Sequence, residues 1–82
     1  MLNLTKNEAK VMDFLVRNTK ERYNINQIAK KLNLSPMGAY KILKKLENAK
    51  AIKSEKIGNA IYYKANLDED IGRKLAEFVL IQ

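Results

Sequence analysis

A mainly helical α+β fold is predicted for this 82-residue chain. Apolar residues recur at helical spacing in three segments between Leu4 and Ala49, each opened by a capping residue. The period then falls to 2 across Ala51–Ala65, on both sides of a Gly58-Asn59 pair, which is a hairpin signal. A last helical pattern runs over 67–82. The expected architecture is a three-helix core carrying a two-stranded β-hairpin, with an additional C-terminal helix.

The length allows one small domain near the lower limit for a single adequate core. Hydrophobic residues make up 46% and charged residues 30%, values of a folded rather than a disordered chain. The sequence contains no Cys and no His. Disulfides, thiolate chemistry, the commonest metal ligand and the usual neutral-pH general base are thereby excluded, and neither metal nor cofactor is expected. No phosphate-cradling Gly-rich motif occurs either, so no catalysis is expected. The N-terminal MLNLTKNEAK is no signal peptide, and no apolar run reaches 18 residues. A cytoplasmic, nucleoid-associated prokaryotic protein with no membrane partner is the expectation.

Helix one opens with a capping box, in which Thr5 caps Glu8 and Glu8 reaches back to Thr5. Val11, Met12, Phe14 and Leu15 face the core, and the helix fades near Asn18. A polar loop follows, with Tyr23 at the start of a short strand. Helix two repeats the grammar with Asn24 and Gln27, buries Ile25, Ile28, Ala29 and Leu32, and ends at Asn33 in the left-handed position. Helix three starts almost at once, with Ser35 at the N-cap and Pro36 at N1. Two helices separated only by Asn33-Leu34-Ser35 must cross steeply, as a helix-turn-helix over about 24–49.

On helix three Ala39, Ile42, Leu43, Leu46 and Ala49 share one side, opposite Met37, Lys41, Lys44 and Asn48. Gly38 in the first turn suits close approach by another backbone. In the hairpin over about 51–65, Ile52, Ile61, Tyr63 and Ala65 share the core side and Lys53, Tyr62 and Lys64 the outer side. Asn66-Leu67-Asp68-Glu69 is a further capping box for the last helix, and helix-dipole electrostatics accounts for the acidic cluster of Asp68, Glu69 and Asp70. Leu67, Ile71, Leu75 and Phe78 make that helix's stripe, and Ala76, Val79, Leu80 and Ile81 widen it beyond the need of so small a domain, which predicts a homodimer with Leu75, Phe78, Val79 and Ile81 in its interface. The other source of such a stripe is a continuation into a further domain.

The net charge is +7 and unevenly placed. Residues 20–64 hold eleven Lys or Arg against three acids, whereas 67–82 hold two basic residues against four acids. A basic centre points to a polyanionic partner.

Helix, short strand, helix-turn-helix and hairpin, in that order, form the winged helix-turn-helix arrangement over 1–66. LTKNEAKVMDFL, INQIAKKLNLSPMGAYKILKKLE and AIKSEKIGNAIYYKAN together resemble the MarR/ArsR-type winged-helix regulators of bacteria and archaea. Similar modules stand at the N-terminus of larger archaeal proteins, where they serve as DNA- or RNA-binding modules. The resemblance implies sequence-specific binding of double-stranded DNA by a transcriptional regulator. Helix three then lies in the major groove, where Ser35, Pro36, Met37, Tyr40 and Lys41 face base edges. Lys44 and Lys45, Lys53, Lys56 and Lys64 of the wing with Asn59 at its tip, and Lys30 and Lys31 meet the backbone. Two departures from the family pattern stand out. Lys50 occupies a position after helix three often held by Gly, so a different helix ending is expected, and the wing tip has no Arg for the minor groove. The competing class is a winged helix that docks protein through the same surfaces.

Overall fold

The computed structural model describes residues 4–68 together with 73, 74 and 77. Helices α1 (Lys6–Arg17), α2 (Ile25–Leu32) and α3 (Pro36–Asn48) are joined by strands β1 (Tyr23–Asn24), β2 (Ile52–Ile57) and β3 (Ala60–Ala65). The strands form one antiparallel sheet in the order β1-β3-β2. The wing therefore has a third, two-residue strand, with Tyr23 opposite Tyr63 and Asn24 opposite Tyr62. The expected helix over 67–82, with Leu75, Phe78, Val79 and Ile81, falls mainly on residues outside this description, as does Glu69 of the last capping box.

Local chemistry places the helix starts. Thr5 and Glu8 make both bonds of the capping box on α1, and Asn24 and Gln27 make both on α2. On α3 the Ser35 hydroxyl accepts the Gly38 N–H at 3.0 Å. A Cβ on Gly38 would stand 2.9 Å from that same hydroxyl oxygen. The expected approach by another backbone is thus replaced by the helix's own cap.

The helix ends follow one scheme. Asn33 adopts φ 57° after α2, and the Leu34 N–H reaches the Ala29 carbonyl at 2.8 Å. Lys50 adopts φ 64° after α3, with Ala51 N–H on Leu46 O and Lys50 N–H on Glu47 O, both at 2.9 Å. Both are Schellman endings. The different ending expected at Lys50 is not found: the lysine accepts the left-handed backbone because two bonds and the burial of Ala51 hold it there.

Val11, Met12, Leu15, Ile28, Leu43, Leu46, Ile52, Tyr63 and Ala65 form the core where the three helices meet the base of the sheet. Phe14 closes one side, edge-on to Tyr23 at 4.8 Å. Expectation and structure part at Ile61, which is 47% exposed. Alternation places it on the core side with Tyr63 and Ala65, but the helices end beneath Tyr63. Between Ile57 and Ala60 the turn has Gly58 at φ 62° and no positive φ at Asn59, the pattern of a type II′ turn.

Candidate nucleic-acid interface

The outer face of α3 presents Met37, Tyr40, Lys41 and Lys44 to solvent, with Met37 63% and Tyr40 45% exposed. Exposure of two large apolar side chains on one helix face is unusual unless something else covers them. Lys44 extends over the Tyr40 ring at 6.0 Å and lies 3.9 Å from Glu47, so both contacts are loose. Lys41 makes no ion pair within the described residues, and the same holds for Lys30, Lys31, Lys56 and Lys64. Neither α2 nor α3 has an acid in its first turn. The positive end of the α3 dipole is therefore open to an anion, beside the exposed Lys30 and Lys31 of the last turn of α2.

Lys45 behaves differently. Its ammonium donates to both carboxylate oxygens of Glu8, at 3.0 and 3.2 Å. Glu8 is 6% exposed and also accepts the Thr5 N–H at 3.0 Å. Burial alone raises its pKa, but the Thr5 backbone bond and the Lys45 ammonium outweigh that, leaving the carboxyl below its ordinary value. Sequence reasoning gave Glu8 a complete role as a cap, so its second bond, 37 residues away, carried no signal.

On the outer face of the sheet Lys53 lies directly opposite Lys64. Like charges so placed repel. Lys53 is drawn instead to Asp68 at 3.3 Å, and Arg22 to Glu55 at 3.4 Å. Arg22, Lys53, Ser54, Glu55, Tyr62 and Lys64 line a groove of about 180 Å³. Arg22 is one of the eleven cations of the basic centre but not one of the expected contacts, because it sits in the polar loop; its place just before Tyr23 is the available signal.

A family model described as the sugar-specific transcriptional regulator TrmB matches residues 1–68. The chain belongs to the TrmB family of transcription regulators. No curated protein matches it. Among solved structures, MepR, a transcription regulator of the Staphylococcus aureus multidrug efflux pump MepA, is similar with a TM-score of 0.84 at 20% identity, covering 96% of this chain and 57% of that one. A variant of Lactococcus lactis ZitR matches at TM-score 0.76 and 26% identity, over 96% and 53% of the two chains. ZitR, described as a zinc-responsive MarR family member, also matches in its complex with DNA, at TM-score 0.77 and 22% identity over 98% and 53%. The chain spans little more than half the length of these regulators.

Within this TrmB-family domain the predicted site residues separate into groups. Met37, Tyr40 and Lys41 lie together on the exposed face of α3. Ser35 serves its helix as a cap, with Pro36 exposed beside it. Lys53, Lys56, Asn59 and Lys64 belong to the wing, and Lys45 is tied to α1. No helix among the described residues is long and apolar enough to cross a membrane.

Proposed function

We propose that this domain binds double-stranded DNA as the reading head of a transcriptional regulator, with α3 in the major groove and the wing on the backbone. One observation carries the reading: the exposed face of α3 combines Met37, Tyr40 and Lys41 with an acid-free helix start, on a helix whose other side is locked into the core. Lys41 donates to guanine O6 or N7, and Met37 and Tyr40 pack on a thymine methyl or sugar. Lys30, Lys31, Lys44, Lys53, Lys56 and Lys64 contact phosphates, whereas Lys45 acts through Glu8 to hold α3 against α1. The family's sugar-specific regulation is assigned to what this reading head is joined to. A homodimer through Leu75, Phe78, Val79 and Ile81 would read an inverted repeat with half-sites about one helical turn apart; monomer alone in micromolar sedimentation would sink that part.

The test is titration of duplex DNA at several salt concentrations after selection from a random duplex pool. Affinity is expected to fall steeply with salt, and Lys53→Ala to lower affinity uniformly and reduce the salt slope by about one. Salt-independent or absent binding to every duplex would favour a protein-docking role, and a preference for single strands an RNA- or DNA-strand module.

A further inference from the structure

The outer face of the sheet, turned away from the three helices, carries charge that packing does not require. Ile52, Tyr63 and Ala65 are buried on the helix side, so Lys53 and Lys64 point the other way. Lys53 stands opposite Lys64. On the other flank Tyr23 pairs with Tyr63, which sets the preceding residue, Arg22, level with Lys64. Three cations thus form one row across the sheet, within about 10 Å at the usual strand spacing. Such a row is destabilising by itself. Its outer members have exposed counter-ions, Glu55 for Arg22 and Asp68 for Lys53. Lys64, half-buried at the centre, makes no ion pair within the described residues. The row lines the groove of about 180 Å³, and Tyr62 and Glu55 face each other at the next cross-strand position.

We infer that this groove binds a small phosphomonoester with a hydroxylated carbon body, in competition with the wing's contact to DNA. Of the lining residues Arg22, Lys53 and Lys64 are cationic and Glu55 is anionic, which leaves an excess of two positive charges. A phosphomonoester carries about −1.5 to −2 at pH 7 and matches that excess. Arg22 supplies a planar fork for two phosphate oxygens, and Lys64 and Lys53 supply point charges. Glu55, released from Arg22 by the phosphate, accepts a hydroxyl of the carbon body, which then lies along the Tyr62 ring. The volume is well below the roughly 300–1,000 Å³ of sites for drug-sized ligands, so the body has only a few carbons. The binding site stands independently of DNA, whereas the competition rests on the DNA-binding reading above, in which Lys53 and Lys64 meet phosphates.

The experiment titrates the full chain with glycerol 3-phosphate, inorganic phosphate or glycerol at fixed pH and ionic strength, first without DNA, and follows backbone amide NMR shifts. Glycerol 3-phosphate is expected to give saturable shifts confined to the sheet around Arg22, Lys53 and Lys64, and to bind about tenfold tighter than inorganic phosphate. Glycerol is expected to give none. Arg22→Gln is expected to weaken glycerol 3-phosphate about tenfold and to leave duplex binding unchanged. Glu55→Gln is expected to tighten inorganic phosphate and to bring the ratio between the two anions toward one. With the selected duplex present, glycerol 3-phosphate at about nine times its dissociation constant is expected to weaken DNA binding about tenfold. Shifts spread over the lysines of α2 and α3, equal affinity for the two anions, or an Arg22→Gln variant that binds as the unaltered chain would overturn the site while leaving DNA binding by α3 intact. A filled groove with no loss of duplex affinity would overturn the competition. Ligand binding by a chain that binds no duplex would overturn the DNA reading and the competition, and leave the groove as a binding site.

Discussion

The lysines of α3 have two fates. Lys45 lies against α1, where a nearly buried carboxylate takes its charge in two hydrogen bonds. Lys41, one turn earlier and on the outer side, has no acid among the described residues. Composition treats them alike, and only the partner separates them. A positive side chain already satisfied within its own domain contributes rigidity, whereas an unsatisfied one on a rigid helix is available to a ligand.

The contrast can be tested in descending order of effect. Leu43, fully buried beneath both lysines, is the support they share. Leu43→Ala is expected to cost about 2–5 kcal/mol, seen as a lower urea midpoint, with DNA binding reduced only through unfolding. Lys41→Ala is expected to leave the urea midpoint in place and to weaken binding about 10- to 100-fold at the preferred sequence, relaxing choice at one base pair. A uniform loss across sequences would place Lys41 on a phosphate instead.

Lys45→Ala is expected to reverse that signature. Stability falls by about 1 kcal/mol, a figure limited by solvent screening of a half-exposed ammonium, while the salt slope of DNA binding stays the same. The same tie predicts a pH dependence. The Glu8 carboxyl is held below its ordinary value of 4.5, so its contribution is complete above that pH and disappears as the pH falls through the lowered value. Glu8→Gln is expected to flatten that part of the stability profile. Last, Lys50→Gly relieves a left-handed lysine and is expected to stabilise by about 0.5–1 kcal/mol without changing DNA binding. Destabilisation there would show that the lysine side chain, not the backbone, holds the end of α3.

Much of the scaffold was legible because its signals are local. Thr5, Asn24 and Ser35 mark helix starts by bonds that close within three residues. Asn33 and the Gly58-Asn59 turn announce themselves by residue type. The exposed face of α3 followed from the 3.6 period alone. Long-range facts were not legible. Alternation told which side Ile61 takes but not where the helices stop supporting the sheet. The Glu8–Lys45 bond was hidden by an adequate local role for Glu8, and Lys50 by the greater ease with which Gly adopts the same backbone.

One quieter contact sets how the domain joins whatever follows it. At the root of the wing the Asn66 N–H bonds the Ala51 carbonyl at 2.9 Å, and its side-chain amide bonds the Lys50 carbonyl at 3.2 Å. Lys50 and Ala51 are the residues that end α3. The outgoing chain is therefore fastened to the end of α3 through Asn66, and to the hairpin through the Lys53–Asp68 ion pair. Asn66 thus joins three parts of the fold at one residue: the end of α3, the root of the hairpin and the chain that leaves them.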